Sequence, residues 1–448
     1  VYNIEDPNHR LLTAGADVDQ ATEIDPTQRA ARSDGRSPAA ILTSTFSDEL
    51  AIGTAGQAKV FGVSVKDRGA VSMAGHAGKA FWFSKQAGEF VTSTYYYDAY
   101  PDWVVEWNER GLPASYGDTE WSLMDEPGTY LFGDADDRDW EVDLAGFGRT
   151  FPHPYGPADG PYFTTLLTLS PAGDELTLDF AKTLMEREAL GADEVTDYLA
   201  VSFSSNDYVG HLFGPSSLES EDNLRRLDRV LADLLSYVDA RVGLENTLIV
   251  LSADHGGPES PGHLASLGIP GGYVDPGSWD REPAIQSLKR RFGVADSLIL
   301  GYDHPYVYLN RARIEDLGLD QGEVERAVAR EIERLPGVAL AVSSTALRRG
   351  ETPDMPVMRS VLRNYNPSRS GDIYLVFEPQ WFINDFDGLT VATTHGSPWR
   401  YDTFVPLVFA GMDLAPRRVG RRVETIDLAP TLAQLLGLKP PSGAAGVP

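Results

Sequence analysis

The sequence contains no cysteine, which excludes disulfide bonds and thiolate metal ligands. Any metal ion would therefore be held by histidine and carboxylate side chains. No run of about 18 apolar residues occurs, so the sequence predicts no membrane-spanning helix. Lysine is also scarce: seven lysines contribute to the 38 basic residues, and arginine supplies the rest.

Negative charge dominates the composition, with 66 acidic residues against 38 basic ones and a formal net charge of -28. Such a field repels nucleic acids and anionic membrane surfaces, so neither is an expected partner. It also repels small anions, which means that an anion-binding site here needs a locally positive pocket. The 448 residues suffice for one large domain with insertions or for two domains.

Apolar segments alternate with helical patterns along most of the chain, which predicts an α/β fold with a mostly parallel sheet sandwiched by helices. The helical spacing of aliphatic residues starts early, and it predicts a first helix over residues 39–53. We expect the α/β core over residues 1–255 and 386–448, with irregular decorations over about 75–163. The pattern changes in between, and we expect an inserted α+β cap subdomain over residues 256–385.

Three segments that carry acidic or imidazole side chains each follow an apolar run with the character of a buried strand. Asp207 and His211 follow YLAVSFSS, Asp254 and His255 follow NTLIVLS, and His395 lies at the end of DGLTVATT. The four-residue spacing of the first pair places both side chains on one face of a helical turn. Because open α/β sheets bind ligands at the carboxyl ends of their strands, we expect the five side chains to converge. Two carboxylates and three imidazoles suit a divalent ion, above all zinc.

Each segment alone has a simpler interpretation. Asp207 could be a helix N-cap beside a surface histidine, Asp254 a turn residue, and His395 a loop histidine. The repetition at three strand ends favours the metal interpretation. The other five histidines are interpreted as structural or surface groups.

Lys66 and Arg68 form a second candidate group, directly after the apolar strand AKVFGVSV. At positions i and i+2 of an extended segment, both would point to one side while Asp67 points away. An ammonium and a guanidinium can together bind phosphate oxygens. The alternative is a solvated strand end. A paired metal site beside two cations indicates phosphoryl-transfer chemistry.

With these segments in order, the sequence resembles the alkaline phosphatase superfamily. Within it, the resemblance is closest to the PafA-like bacterial alkaline phosphatases, which are related to type I phosphodiesterases and nucleotide pyrophosphatases. The matching segments run nearly from end to end of the chain. They include KVFGVSVKDRGAVSMAGH, SFSSNDYVGHLFGPSS, LSADHG and TTHGSPWRYDTFVPLVFAG.

The resemblance implies two zinc ions per protein. Their implied ligands are the strand-end side chains, Asp207, His211 and His395 for the first ion and Asp254 and His255 for the second. The second ion would also take an Asp and a nucleophilic Thr, or Ser in some relatives, from segments that precede the matched text. By the same resemblance, Lys66 and Arg68 would contact the non-bridging phosphate oxygens.

The implied function is zinc-dependent hydrolysis of small phosphate monoesters through a covalent phospho-enzyme, in the periplasm or outside the cell. The family's first strand, nucleophile helix and nucleophile have no counterpart in this sequence. We therefore expect a fragment truncated at its amino end, inactive as given and with a partial second metal site. A phosphodiesterase or nucleotide pyrophosphatase on the same scaffold is the alternative, and a non-catalytic zinc-binding fragment is the alternative from another class. The oligomeric state is left open, with a monomer favoured.

Overall fold

The computed structural model describes residues 4–15, 31–386 and 389–448. The strands, in chain order, are β1 (Leu11–Leu12), β2 (Val60–Ser64), β3 (Lys79–Ser84), β4 (Glu89–Ser93), β5 (Glu120–Trp121), β6 (His153–Pro154), β7 (Tyr198–Ser202), β8 (Leu248–Ser252), β9 (Gly272–Tyr273), β10 (Ile299–Asp303), β11 (Tyr306–Leu309), β12 (Val338–Ser343), β13 (Ile373–Phe377), β14 (Trp381–Phe382), β15 (Asp385–Phe386), β16 (Leu389–Thr390) and β17 (Leu407–Gly411).

The α-helices, in chain order, are α1 (Phe46–Gly53), α2 (Asp67–Ala74), α3 (Asp102–Glu109), α4 (Phe163–Thr168), α5 (Pro171–Arg187), α6 (Ser205–Phe213), α7 (Leu218–Arg241), α8 (Pro261–Ser266), α9 (Pro283–Phe292), α10 (Arg311–Asp316), α11 (Gln321–Ile332), α12 (Ser344–Arg349), α13 (Pro356–Asn364), α14 (Arg400–Thr403) and α15 (Leu428–Leu435). In the part of the chain that the structure describes, none of them is long and apolar enough to cross a membrane.

A five-stranded sheet with the order β1-β4-β3-β2-β7 lies at the centre of the fold. Strand β2 pairs in parallel with β3 and with β7, whereas β3–β4 and β4–β1 are antiparallel. The sheet is mixed because the chain returns directly from β3 to β4 in a tight hairpin. Strand β8 pairs with β17 in a separate antiparallel ribbon. The predicted α/β class is confirmed.

Helices cover both faces of this sheet, as the alternation of side chains along β3 shows. Phe81 and Phe83 join a large buried cluster with residues of α5 and α6, while Trp82 joins a smaller cluster with α2. In β2, Gly62 lets α2 approach closely, since a Cβ there would lie 2.3 Å from the backbone oxygen of Ala70. Burial on both faces is typical of parallel strands under helices.

A second sheet, antiparallel with the order β10-β11-β13-β12, lies within the predicted insert. Its buried apolar side chains form clusters with those of α9, α10 and α11. The two clusters around the central sheet draw on residues 4–213, a separate part of the chain. The insert thus has its own core. The prediction that residues 256–385 form a cap subdomain stays a prediction.

Helix α1 begins at Phe46, so the prediction of a helix from residue 39 was wrong at its start. The side chain of Thr45 accepts a hydrogen bond from the Asp48 backbone, and the Asp48 carboxylate accepts one from the Thr45 backbone. This capping box starts the helix after the threonine. The aliphatic residues ahead of Thr45 happen to continue the helical spacing without being helical.

The chain becomes helical at Asp67, directly after an extended Lys66, which corrects the predicted geometry of Lys66 and Arg68. Lys66 is the N-cap of α2, and Arg68 lies in the first helical turn. Asp67 turns inwards, where its carboxylate accepts hydrogen bonds from buried Arg36 at 2.7 Å and from the Arg68 backbone at 2.7 Å. An acidic side chain at a helix N-terminus favours helix over strand. Strand alternation therefore does not align the two cations.

The strand predicted in DGLTVATT is also shorter than the apolar run indicated. The first two residues of this segment, 387–388, lie outside the described residues. Of residues 389–394, Leu389–Thr390 alone is a strand, and it pairs with β15. Residues 391–395 form a loop that contacts α6 through its backbone, with the Ala392 amide donating to the carbonyl of His211 at 2.8 Å. The apolar residues of this segment are buried by packing without strand pairing.

A buried ionisable cluster joins the decorating segment to α7. His153 and Glu219 are inaccessible to solvent, with His153 Nε2 3.2 Å from Glu219 Oε1. Burial, reinforced by the nearby charge of Glu219, raises the pKa of Glu141 to about 8. The carboxyl group of Glu141 is therefore neutral in the folded protein at neutral pH.

The stability of the fold should depend on pH through Glu141. Its pKa is above the ordinary value of 4.5, so the unfolded chain releases the proton first and stability falls as pH rises from 4.5 to about 8. We predict that Glu141→Gln changes the free energy of unfolding, relative to the unchanged protein, more favourably at pH 8 than at pH 5. The difference between the two pH values should be at least about 1 kcal/mol, measured by urea unfolding. The exposed control Glu109→Gln should show no such difference. An equal effect of Glu141→Gln on the free energy of unfolding at both pH values would contradict the raised pKa of Glu141 in the folded protein.

Candidate metal centre

Helix α6 presents two of the predicted ligands on one face. Asp207 and His211 lie one turn apart, with Asp207 Oδ2 3.3 Å from His211 Nε2. The opposite face is buried through Val209 and Leu212, and Gly214, with a φ of 85°, ends the helix. The amphipathic pattern of α6 therefore directs both polar side chains to the same place.

Two loops bring the other predicted histidines to Asp207. His255 follows β8 and His395 follows β16, and their Nε2 atoms lie 3.9 Å and 3.5 Å from Asp207 Oδ1. The rings of His255 and His395 stack with 3.4 Å between centroids, and the ring of His211 lies 5.1 Å from that of His395. One carboxylate thus faces three imidazoles, with one oxygen towards His211 and the other towards His255 and His395.

Backbone carbonyls orient two of these imidazoles. His211 Nδ1 donates to the carbonyl of Thr393 at 2.8 Å, and His255 Nδ1 donates to the carbonyl of Gly256 at 2.8 Å. A carbonyl oxygen can only accept, so the proton is on Nδ1 and the lone pair of a neutral ring is on Nε2. Metal-ligating histidines are oriented in this way.

The separations between the Asp207 carboxylate and two of the imidazoles are close to those of neighbouring ligands on zinc. Zinc bonds of about 2.0 to 2.1 Å at a tetrahedral angle place two ligand atoms about 3.3 Å apart. The Asp207 oxygens lie at 3.3 Å from His211 Nε2 and 3.5 Å from His395 Nε2. Among residues 4–15, 31–386 and 389–448, these three residues are the one set of His, Asp or Glu side chains whose ligand atoms all lie within 4.8 Å of one another.

The charges around Asp207 set the protonation states of the cluster. Burial opposes ionisation of Asp207, but the charges of His211 and Lys66 outweigh it and hold its pKa well below its usual range. Burial lowers the pKa of His395 to about 2, with the charge of Asp207 opposing this shift. The ionised carboxylate of Asp207 and the neutral imidazole of His395 are forms that bind metals. Burial favours the neutral imidazole of His211, but the charge of Asp207 outweighs it and raises the pKa of His211, so a metal ion there would compete with a proton.

The second predicted pair lies at the rim of this cluster. The side chain of Asp254 is 87% exposed, and its Oδ2 is 3.4 Å from His255 Nε2. Its Oδ1 accepts a hydrogen bond from the His255 backbone at 3.1 Å. His255 therefore lies between Asp207 and Asp254, and the open side of Asp254 faces solvent.

Of the two predicted phosphate-binding cations, Lys66 is in contact with the cluster. It is buried, its Nζ donates to Asp207 Oδ2, and it lies 4.2 Å from the centroid of the Tyr208 ring. Arg68 is half-buried in the first turn of α2. The ammonium of Lys66 thus adjoins the carboxylate that gathers the histidines.

Lys85 and Tyr208 are site residues that the sequence interpretation missed. Lys85 is 3% exposed, and its Nζ lies 3.2 Å from the hydroxyl of Tyr208 and 4.9 Å from the ring centroid. The sequence offers one signal for this lysine, which is the clustering of lysines near Lys66. Four of the seven lysines occur between residues 59 and 85. Its burial against α6 depends on tertiary packing.

Hydrogen bonds from two sides hold the loop that carries His395. Asp402 Oδ2 accepts hydrogen bonds from the backbones of Gly396 at 3.1 Å and Ser397 at 2.7 Å. From the β10–β11 hairpin, His304 Nε2 donates to the carbonyl of Gly396 at 3.0 Å. Gly396 has a φ of 112°, and a Cβ there would lie 2.7 Å from His304 Nε2. Glycine is therefore needed beside His395 on both counts.

A carboxylate and three imidazoles gathered beside a buried lysine, in an α/β fold, form a candidate metal centre. The family model described as type I phosphodiesterase / nucleotide pyrophosphatase matches residues 55–398. The chain belongs to this family and is a PafA-like member of the alkaline phosphatase superfamily. The predicted resemblance is confirmed, as is the assignment to phosphatase-type hydrolases.

Several similar proteins carry this conclusion. The chain is 35% identical over 416 residues to alkaline phosphatase PafA of Elizabethkingia meningoseptica, an alignment that covers 92% of this chain and 74% of that protein. It is 33% identical over 413 residues to alkaline phosphatase PhoV of Synechococcus elongatus, covering 92% and 73%. A protein named calcium-transporting ATPase from Myroides odoratus is 38% identical over 417 residues, covering 92% and 75%. The crystal structure of wild-type PafA matches with a TM-score of 0.86 at 32% identity, covering 100% of this chain and 82% of that chain.

Removal of His395 tests whether the cluster binds metal. An ion that binds only the folded state stabilises it, by about 2.7 kcal/mol at 100 times its dissociation constant. We predict that zinc raises the melting temperature of the chelator-treated protein and that His395→Ala removes most of this shift. The control His263→Ala removes a histidine that packs against Trp140 and should keep the full shift. A zinc shift of equal size in both variants would place the metal elsewhere.

Proposed function

We propose that the protein acts in the hydrolysis of small phosphate monoesters, with two zinc ions and a covalent phospho-enzyme. The observation that carries this proposal is the convergence of Asp207, His211 and His395 beside the buried ammonium of Lys66. Zinc bound there would polarise phosphate oxygens and lower the pKa of an attacking hydroxyl.

The residues of this chain have separate parts in the proposal. Asp207, His211 and His395 would hold the first ion, and Asp254 with His255 would contribute to the second. His211 and His255 are already oriented with Nε2 towards Asp207 by their backbone hydrogen bonds. Little reorganisation of these two rings is then needed when the ion binds.

Lys66 and Arg68 would bind the non-bridging oxygens of the phosphoryl group. A monoester dianion places more charge on these oxygens than a diester monoanion does, and it gains more from a local cation. With a net charge of -28, the protein would otherwise repel this substrate. The burial of Lys66 beside the candidate metal centre therefore supports a monoester over a diester.

The nucleophile is the remaining part, and we propose that it is not among the residues that the structure describes. In the described part of the chain, no serine or threonine hydroxyl is hydrogen-bonded to His211, His255 or His395. The Nδ1 atoms of the first two donate to backbone carbonyls. The hydroxyl of Ser44 bonds to Glu49, and that of Thr45 caps α1. This chain by itself would then bind phosphate without forming the phospho-enzyme.

The second candidate is a phosphodiesterase or nucleotide pyrophosphatase, which the family match over residues 55–398 favours. A non-catalytic zinc-binding protein would follow if zinc binds and no form of the protein hydrolyses phosphate esters. From the resemblance alone, we also propose an exported protein, active as a monomer, with residues 256–385 as a cap over the site.

Hydrolysis of para-nitrophenyl phosphate and of its bis-para-nitrophenyl diester, with zinc supplied, separates these candidates. The measurement compares this chain with a version extended by the upstream coding sequence. We predict that only the extended version turns over and that it prefers the monoester. In that version, Lys66→Met should lower kcat/KM for the monoester by about 100-fold and for the diester by less.

Two outcomes would change the assignment. Turnover by the 448-residue chain itself would mean that the nucleophile lies within it. Preference of the extended version for the diester, with no selective effect of Lys66→Met, would favour the phosphodiesterase.

A further inference from the structure

We propose that Lys85 is a positioning residue for the phosphate site and acts on Lys66 through Tyr208. This inference rests on the proposed function, because the anion that it serves is the phosphoryl group. It adds a second buried lysine to the site that contains Lys66.

The sheet brings the two lysines to the same edge. Strands β2 and β3 are parallel neighbours, so their carboxyl ends open on one side. Lys66 follows β2 by two residues and Lys85 follows β3 by one. Tyr208 comes from α6, where it is adjacent to Asp207.

Tyr208 connects the two ammonium groups. Lys66 Nζ lies 4.2 Å from the ring centroid and Lys85 Nζ lies 4.9 Å from it, so the two charges are at most about 9 Å apart. Lys85 also lies at hydrogen-bond distance from the hydroxyl, 3.2 Å away, while the ring is 7% exposed. A ring held by Lys85 forms a fixed surface under Lys66.

Two buried ammonium groups at this distance repel each other, and burial weakens the screening by water. Their proximity is stabilised where negative charge lies between or beside them. Asp207 supplies such a charge to Lys66, and a phosphoryl dianion at the candidate metal centre would supply more. Each of the two ammonium groups thus adds positive charge on this side of the site, in a protein with a net charge of -28.

The other end of β3 contains a matched control. Lys79 Nζ lies 4.7 Å from the centroid of the Tyr97 ring and donates to the carbonyl of Tyr96. This is the same pairing of lysine with tyrosine, at the amino end of the strand. Substitution of Lys79 removes a lysine that packs on a tyrosine at the other end of β3, whereas substitution of Lys85 removes one at the site. Comparing the two therefore separates a packing effect from the loss of a positive charge at the site.

The test measures binding of inorganic phosphate to the zinc-loaded 448-residue chain by titration calorimetry. We expect Lys85→Met to weaken binding about 10-fold, Lys85→Arg to recover most of this loss, and Lys79→Met to bind as the unchanged protein does. Tyr208→Phe keeps the ring and removes the hydroxyl, so it should weaken binding by a smaller factor. The zinc content should be the same in all variants.

A second ligand distinguishes a role in charge from a role in folding. Dimethyl phosphate is a monoanion of similar shape, and we expect Lys85→Met to affect its binding less than that of phosphate. General damage to the fold would weaken both ligands alike. A loss of the same factor for both would overturn the proposal.

The remaining outcomes separate this inference from the proposed function. If Lys66→Met weakens phosphate binding while Lys85→Met and Tyr208→Phe leave it unchanged, Lys85 has no positioning role. If Lys66→Met also leaves it unchanged, the proposed phosphate site is wrong as well. Should Lys85→Met fail to fold, Tyr208→Phe decides, and unchanged phosphate binding in that variant overturns the proposal.

Discussion

The candidate site depends on one ionised carboxylate, that of Asp207. Its two oxygens face three imidazoles and one ammonium, and each of these groups comes from a different part of the fold. Burial alone would favour the neutral acid, but the surrounding positive groups keep it charged. Without this charge, the lysine and the histidines would have no common partner.

The net charge of -28 sets a second constraint on the site. Any anionic substrate must approach against a repulsive field, so affinity has to come from a small number of well-placed cations. Lys66 and Lys85 are both buried against Tyr208, at the carboxyl ends of neighbouring parallel strands. An α/β sheet places such groups together because parallel strands open on a common edge.

Much of this arrangement could be predicted from local patterns. The four-residue spacing of Asp207 and His211 fixed their common helix face, and the strand-end positions indicated convergence with His395. The helical turn at Lys66 could not be read from the apolar run before it, because a buried ion pair of Asp67 with Arg36, 31 residues away in sequence, holds it in place. Lys85 is a further case, since its contact with Tyr208 joins residues 123 positions apart. Asp254 is acidic and adjacent to His255, yet only the folded loop reveals that it faces solvent.

The central claim is that Asp207, His211 and His395 form a zinc site, and anomalous X-ray scattering from zinc-loaded crystals of this chain tests it most directly. We expect a zinc peak about 2.0 to 2.2 Å from an Asp207 oxygen and from Nε2 of His211 and His395. An anomalous peak elsewhere, or none at this cluster in crystals that contain zinc, would contradict it.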